Sequence, residues 1–271
     1  MTGLLYRSDP MNPFQQQAPI PGVQHIVAIG SGKGGVGKST VAVNVAMSLQ
    51  KSGLKVGILD ADIYGPSVPR MLGATSAKPE VSEGNKIQPV LRYGMKTMSL
   101  GYLVDEGQAA VWRGPMLFKA MEQFFRDVQW GELDYLIVDL PPGTGDVGLT
   151  LAQKVPVSGA VIVCTPQNVA LADAKKAMDM FERTNVRVLG VVENMAYLQT
   201  ANGERTQLFP KGDLDAYLDV KKIRKLGQIP FMPEVGMSGE AGVPILESHS
   251  GDEEALAFST IADAIRKLIE K

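Results

Sequence analysis

Apolar and polar positions along the chain fall into two kinds of segment. Short runs rich in β-branched residues are apolar throughout, which is typical of strands buried on both faces of a parallel sheet. These runs are His25–Ile29, Lys55–Leu59, Tyr135–Val138, Ala160–Cys164 and Val186–Val192. Helix-like segments lie between and after them, at Val41–Leu49, Pro115–Val128, Val169–Arg183 and Glu253–Glu270. The alternation predicts an α/β fold, doubly wound, with a mostly parallel sheet and helices on both faces.

The remaining segments suggest a short leader followed by one domain. Residues 1–21 contain four prolines and no continuous apolar core, so they predict a flexible leader and not a signal peptide. Residues 22–271 show no internal repeat and no clear boundary, which predicts a single domain. Within it, Thr75–Asn85 is polar and loop-like. Leu198–Lys211 is a second polar insertion and the better candidate for a functional protrusion.

Composition narrows the class of protein. The 271 residues are 45% hydrophobic and 21% charged, which is ordinary for a globular protein with a sizeable core. The net charge of −2 gives no electrostatic reason to expect nucleic acid or an anionic membrane as a partner. No apolar run is long enough to span a bilayer, and the single cysteine, Cys164, excludes an intrachain disulfide. These observations favour a soluble, cytoplasmic enzyme.

A glycine-rich segment between the first strand and the first helix carries the chemistry. Residues 30–40 read GSGKGGVGKST, which contains the phosphate-binding motif G-x-x-x-x-G-K-[ST]. Glycines let the backbone approach a triphosphate closely, so that amide groups and a helix N-terminus face the phosphates. Lys38 supplies charge to the outer phosphates, and the Ser39 hydroxyl suits Mg²⁺. The predicted nucleotide-binding residues are Gly32, Lys33, Gly34, Gly35, Val36, Gly37, Lys38, Ser39 and Thr40.

Three aspartates, Asp60, Asp62 and Asp139, follow strand-like runs. Ligands of open α/β sheets bind at the carboxyl ends of the strands, so the three should converge beside the phosphate loop. A single aspartate is more often a cap or a turn former, but three together favour a ligand site. We expect Ser39 to bind Mg²⁺ directly, and Asp60 and Asp139 to hold it through water. The segment 141–145 is either a sensor of the γ-phosphate or a tight turn.

Lys33 narrows the class of phosphate-loop protein to which the chain is similar. The sequence GKGGVGKS at residues 32–39 resembles the deviant phosphate-loop ATPases, which include MinD, ParA and the nitrogenase iron protein. In that class the early lysine reaches across a dimer interface to the partner's nucleotide. The resemblance therefore implies a homodimer with ATP between the subunits, in which Lys33, Lys38 and Asp62 are catalytic and Asp62 orients the attacking water. The alternative is that Lys33 is a solvated loop lysine.

Further motifs are similar to those of the Mrp/ApbC-type iron–sulfur cluster carrier ATPases. They are PGV at 21–23, LDADIYGPS at 59–67, VWRGPM at 111–116, DLPPGTGD at 139–146, VENM at 192–195 and LGQIP at 226–230. This resemblance implies an enzyme that binds and hydrolyses ATP with Mg²⁺ and acts in cluster assembly or in transfer to apoproteins. Its partner would be an apoprotein or an iron–sulfur scaffold. The resemblance also implies that Asn194 faces the adenine, with the backbone near Pro230 beside it; the alternative for Asn194 is a turn former.

The chain departs from that family where the cluster ligands are expected. Typical members carry Cys-x-x-Cys after the Glu-Asn-Met motif, and a dimer uses both pairs to bridge a [4Fe–4S] cluster. Residues 194–203 of this chain read NMAYLQTANG, with no cysteine. Cys164 lies in an apolar run and should be buried, and His25 and His249 lack metal-ligand spacing. Clusters usually need four thiolates, so we predict no Fe–S ligands and no stable [4Fe–4S] cluster.

Three functions remain open. The first is an ATPase of the iron–sulfur carrier family that acts in cluster assembly. The second is a cluster-free nucleotide switch that acts on a protein partner, with Leu198–Lys211 as a contact surface. The third is a MinD/ParA-like positioning ATPase, which would need a basic amphipathic tail or a basic patch. It ranks last because the tail Asp263–Lys271 is short and mixed in sign.

Overall fold

The structure is a computed structural model that describes residues 17–62, 65–82, 84–103, 114–199, 204–249, 251 and 253–271. Its strands are β1 Val23–Ser31, β2 Val56–Asp60, β3 Glu80–Ser82, β4 Lys86–Gln88, β5 Val90–Arg92, β6 Met95–Ser99, β7 Leu133–Asp139, β8 Gly159–Cys164, β9 Val188–Glu193, β10 Leu198–Gln199, β11 Arg205–Thr206 and β12 Lys225–Gln228. Its helices are α1 Lys38–Lys51, α2 Val68–Met71, α3 Gly114–Arg126, α4 Asp146–Lys154, α5 Asn168–Arg183, α6 Leu214–Lys221, α7 Pro233–Glu240, α8 Ile245–Ser248 and α9 Glu253–Ile269, with a 3₁₀ turn at Leu100–Tyr102.

Eight strands form the main sheet, in the order β12-β9-β8-β1-β7-β2-β6-β5. All neighbours are parallel except β5 and β6, which form an antiparallel pair at one edge. The five predicted strands correspond to β1, β2, β7, β8 and β9, which are the central strands of this order. The predicted α/β fold with a mostly parallel sheet is confirmed.

The sheet separates two hydrophobic cores. Successive side chains of a strand point to opposite faces, so Ile26 and Ala28 of β1 belong to the core beneath α3, α4 and α5. Val27 and Ile29 belong to the core beneath α1 and α9. Because both faces are covered, the central strands are largely apolar between their ends, as the sequence pattern indicated.

Several elements of the structure were not predicted, or were predicted differently. The short helix α4 and the edge strand β12 were not predicted, because neither has a long apolar run. The segment Thr75–Asn85, predicted to be a loop, contains β3, which pairs with β4. The insertion Leu198–Lys211 contains the two-residue strands β10 and β11, and residues 200–203 lie outside the described residues.

The predicted leader, residues 1–21, is described from Gln17 onward. The Ala18 N–H donates to the carbonyl of Lys154 at 3.1 Å. The Ile20 side chain is buried in the core beneath α3, α4 and α5. This part of the leader is therefore packed against the domain, and the flexibility predicted for residues 1–16 remains a prediction.

Across the described part of the chain, no helix combines the length and the apolar character that crossing a membrane requires.

Candidate functional site

The phosphate-binding motif forms the loop between β1 and α1. Gly35 and Gly37 have φ of 78° and 80°, a left-handed conformation that favours glycine. A Cβ on Gly37 would also lie 2.2 Å from Nδ2 of Asn194. Both the backbone angle and the neighbouring side chain therefore require glycine at position 37, directly before α1.

The other loop glycines serve two different purposes. A Cβ on Gly32 would lie 2.0 Å from the backbone carbon of Asp173, so this glycine lets the loop rest against α5. A Cβ on Gly34 would meet nothing within 4 Å, and Gly34 and Gly35 are exposed. Nothing within the described chain fills the space in front of Gly34, so this crest of the loop is accessible to a ligand.

Lys38, the lysine of the motif, lies in a buried ion pair. Its Nζ is 2.7 Å from Oδ1 of Asp139 and 3.8 Å from Oδ2 of Asp62. It also donates to the Ser39 hydroxyl at 3.2 Å. Asp139 is completely buried, and its Oδ2 accepts no hydrogen bond from the described residues. One ammonium group, two carboxyl groups and one hydroxyl group therefore lie together at the start of α1.

Sheet register explains why the aspartates meet. Asp60 at the end of β2 pairs in register with Asp139 at the end of β7. Asp60 accepts hydrogen bonds from the N–H groups of Asp62 and Val68 and from the Ser99 hydroxyl. Burial raises the pKa of Asp60 to about 8, and the charge of Asp139 adds to this increase. Burial likewise raises the pKa of Asp139, while the Lys38 ammonium opposes the shift.

A cavity of about 340 Å³ lies beside the phosphate loop, and Asp60 and Asp139 are not among the described residues that line it. Most of the predicted phosphate-loop residues line it, together with Asp62. Two helices that the sequence did not indicate complete its wall: α2 contributes Arg70 and Met71, preceded by its N-cap residue Ser67, and α7 contributes Val235, Gly236, Gly239 and Glu240. The only local signal in α7 is its pair of glycines three positions apart, which on a helix share one face.

The segment between β7 and α4 lies against the end of β1 that leads into the phosphate loop. The N–H of Gly143 donates to the carbonyl of Ser31 at 2.8 Å, and that of Leu140 donates to the carbonyl of Ile29 at 3.0 Å. Pro142 lines the cavity. The segment 141–145 is therefore bonded to the last residue of β1, directly before the phosphate loop, a position compatible with the predicted sensor of the γ-phosphate.

Asn194 is buried and donates to the carbonyl of Val36 at 2.8 Å, so its side chain supports the phosphate loop. Pro230 is buried, and the residue before it is bonded to the segment around Asn194: the N–H of Ile229 donates to the carbonyl of Glu193, and the N–H of Ala196 donates to the carbonyl of Ile229. Neither Asn194 nor Pro230 lines the cavity. Their contact with adenine stays a prediction.

The groups at the start of α1 fit a divalent cation. Mg²⁺ is usually held by hydroxyl and carboxylate oxygens together with waters and phosphates. The Ser39 hydroxyl and the buried carboxylates of Asp60 and Asp139 provide such oxygens, and Oδ2 of Asp139 has acceptor capacity that the described residues leave unused. The predicted Mg²⁺ assignments to these three residues are chemically compatible with this arrangement and stay predictions.

The chain offers a single thiol as a possible ligand for an iron–sulfur cluster. Cys164, the only cysteine of the sequence, lies in β8 and is buried. Burial raises the pKa of its thiol to about 12, with a contribution from Glu193. Among the described residues, no group of three or more His, Cys, Asp or Glu side chains could hold a metal ion.

Comparison with known proteins identifies the family. Residues 22–266 match the ParA family, described as NUBPL iron-transfer P-loop NTPase. The iron–sulfur cluster carrier protein of Aquifex aeolicus is 48% identical over 260 residues, which cover 95% of this chain and 71% of the relative. The iron–sulfur cluster transfer protein NUBPL of Mus musculus is 44% identical over 257 residues, covering 93% of this chain and 80% of the relative.

Solved structures agree with this assignment. A nucleotide-binding protein of Archaeoglobus fulgidus in complex with ADP is 43% identical, with a TM-score of 0.71, covering 81% of this chain and 87% of that protein. The cell division ATPase MinD of Pyrococcus furiosus shares the fold at 22% identity, with a TM-score of 0.68, covering 90% of this chain and 99% of MinD. The family resemblance and the enzyme class predicted from the sequence are confirmed, although residues 63, 64 and 111–113 of the quoted motifs lie outside the described residues. The chain therefore belongs to the ParA/NUBPL family of iron-transfer P-loop NTPases.

Proposed function

We propose that this chain binds ATP in the cavity beside the phosphate loop and hydrolyses it with Mg²⁺. The observation that carries the proposal is the buried Lys38–Asp139 pair, with a distance of 2.7 Å, in which Lys38 lines that cavity. An ammonium held in this way is available to the outer phosphates of a nucleotide, and the exposed crest at Gly34 and Gly35 leaves room for them.

Mg²⁺ would be held by the Ser39 hydroxyl, with Asp60 and Asp139 acting through water. When bound, the ion neutralises charge that develops on the β- and γ-phosphates. Asp139 supports Lys38, and the three hydrogen bonds to Asp60 fix that carboxylate in place. The protein's own contribution is therefore a set of charges positioned before the nucleotide arrives.

Asp62 is the residue we propose to orient the attacking water. It lines the cavity, its side chain is 12% exposed, and Lys38 lies 3.8 Å away. Lys33 also lines the cavity and makes no ion pair with the described residues. We therefore propose that Lys33 acts across a homodimer on the partner's nucleotide, a role like that of an arginine finger.

The relatives are named for carrying or transferring an iron–sulfur cluster. This chain has one thiol, which is buried and has a raised pKa, and cluster ligation usually takes four thiolates. We propose that the chain acts in cluster assembly through its nucleotide cycle, on an apoprotein or scaffold that provides the thiolates. This role combines the carrier-family function with the cluster-free switch, and the location that we propose for it is cytoplasmic.

The nucleotide site is tested by Lys38→Ala, with Lys51→Ala as the matched control. Lys51 lies at the other end of α1, is 38% exposed and pairs with Glu247. Loss of a buried charge contact costs about 2–5 kcal/mol, which corresponds to at least about thirtyfold weaker ATP binding. The control should bind and hydrolyse ATP normally. A folded Lys38→Ala variant with unchanged affinity and turnover would refute the site.

The cluster assignment is tested by anaerobic reconstitution with iron and sulfide. We expect no stoichiometric iron and no broad visible absorbance, while hydrolysis of ATP persists and requires Mg²⁺. A preparation with about four irons per dimer would refute a cluster-free chain, and would direct attention to ligands other than cysteine.

A further inference from the structure

A groove of about 370 Å³ lies between the edge strand β12 and the helix α9. Its apolar part is formed by the buried Leu226 and Leu268 and the half-buried Ala264. The lining residues of α9 recur at helical spacing and therefore share one face of the helix; they are Thr260, Asp263, Ala264, Lys267, Leu268 and Lys271. The groove thus follows α9, with the start of β12 as its other wall.

The polar lining of this groove carries an excess of positive charge, although the whole chain has a net charge of −2. The charged residues that line it are Arg224, Lys225, Asp263, Lys267 and Lys271. Lys225 is already neutralised, because its Nζ lies 2.6 Å from Oε2 of the buried Glu193 and also contacts Asp215. The other three basic residues make no ion pair within the part of the chain that the structure describes. Their charge is therefore available to an external anionic group.

Stabilisation of the end of α9 does not explain this excess. Basic residues near the C-terminus of a helix interact favourably with its dipole. Two other cations already serve this end of α9: Arg187 donates to the carbonyl of Leu268 at 3.3 Å, and Arg266 pairs with Glu270 at 2.9 Å. Arg224 directly precedes β12 and does not belong to a helix. The uncompensated cations thus come from two separate elements that meet only at the groove.

The groove is separate from the nucleotide site. No residue that lines it also lines the cavity beside the phosphate loop. Asp60 and Asp139 end their strands, whereas Arg224 lies directly before the first residue of β12, which runs parallel to β9. The groove therefore lies toward the opposite end of the sheet from these aspartates. A partner bound there would leave the nucleotide face open to ATP and to a second copy of the chain.

We propose that the groove between β12 and α9 binds an acidic segment of a protein partner, whose carboxylates pair with Arg224, Lys267 and Lys271. Apolar side chains of the same segment cover the apolar part of the groove. A peptide fits better than a nucleic acid, because the carboxyl group of Asp263 repels a phosphate backbone but accepts hydrogen bonds from peptide N–H groups. Single-stranded nucleic acids also stack on aromatic side chains, and the described lining contains none.

Titration with a defined peptide, followed by methyl NMR of the full chain, tests this proposal. The probe is a synthetic peptide of the repeat Glu-Ser-Leu, and the leucine, alanine and methionine methyl groups of the protein are labelled with ¹³C. The signals of Leu226, Ala264 and Leu268 should shift, whereas that of Met237, exposed on α7, should not. A matched peptide of the repeat Gln-Ser-Leu should bind at least about tenfold more weakly, because it loses several exposed ion pairs.

The variant Arg224→Glu/Lys267→Glu should also weaken binding of the acidic peptide at least about tenfold. Its hydrolysis of ATP should not change, because neither residue lines the nucleotide cavity. Failure of this groove is therefore distinct from failure of the nucleotide site. The matched control Lys176→Glu/Arg183→Glu gives the same net charge through two exposed residues of α5, and it should bind the peptide as wild type does.

Four results would overturn the proposal. The first two are unshifted groove signals and equal binding of the glutamine peptide, and neither requires a variant to fold. Equal weakening in the α5 control would mean that only the net charge of the chain matters. Oligothymidylate that shifts the same signals at a lower concentration than the peptide would mean that the groove binds nucleic acid instead.

Discussion

Replacing Lys38 should destabilise the nucleotide-free protein, in addition to its effect on ATP. In Lys38→Met, the carboxyl of Asp139 loses its cation at 2.7 Å while it remains fully buried beside the buried Asp60. Breaking a buried pair by removing one partner costs about 3–5 kcal/mol. Because Lys38 lines an open cavity, water can replace part of the lost interaction. We therefore expect the lower end, a loss of about 3 kcal/mol in the free energy of unfolding.

The loss of unfolding free energy in Lys38→Met should increase with pH. Burial holds the pKa of both Asp60 and Asp139 above their unfolded values, so the folded state retains protons that the unfolded chain releases. Stability from such groups is complete below the unfolded pKa and is lost as pH rises through the folded pKa. Without Lys38 the carboxyl of Asp139 is harder to ionise. The difference between wild type and Lys38→Met should therefore be small near pH 5 and largest near pH 8.

Urea unfolding followed by the fluorescence of the buried Trp130 measures this difference at the two pH values. The double variant Lys38→Met/Asp139→Asn removes the uncompensated charge and should regain most of the loss. Lys51→Met, which breaks an exposed pair, should cost no more than about 1 kcal/mol. A Lys38→Met variant as stable as wild type at both pH values, or a double variant less stable than the single one, would contradict the stabilising role of the buried pair.

Three further predictions concern hydrolysis, the thiol and the missing cluster ligands. Lys33→Ala and Asp62→Asn should each retain ATP binding and lose most hydrolysis. Mixing the two variants should restore turnover, because one site of a heterodimer is then complete. If heterodimers form and turnover does not recover, Lys33 does not act across the interface. Cys164 should react with an aromatic disulfide reagent at pH 8 only as fast as the protein unfolds, since the pKa of its buried thiol is raised to about 12. Rapid labelling of the native protein would contradict this burial. Gln199→Cys/Asn202→Cys should confer iron binding on anaerobic reconstitution, and iron content equal to wild type would mean that the family's cluster scaffold is absent.

The sequence by itself determined the phosphate loop and the central strands. The motif from Gly32 to Ser39 specifies its own backbone, because only glycine tolerates φ near 80° at Gly35 and Gly37. The strands β1, β2, β7, β8 and β9 are buried on both faces, so their continuous apolar runs stand out from the rest of the chain. Residues at the carboxyl ends of such strands come together at one edge of a parallel sheet, which is why the sequence alone grouped Asp60 with Asp139.

Only the tertiary structure decided which distant residues border the cavity. The helix α7 lies far from the phosphate loop in sequence and has no long apolar run, yet Gly236 and Gly239 line the same cavity as Lys38. Likewise, the contact of Asn194 with the loop backbone at Val36 has no local signal. Local patterns report a residue's own backbone preference and burial. Contacts between separate segments depend on the strand order and on the packing of helices against the sheet, which no single stretch of sequence encodes.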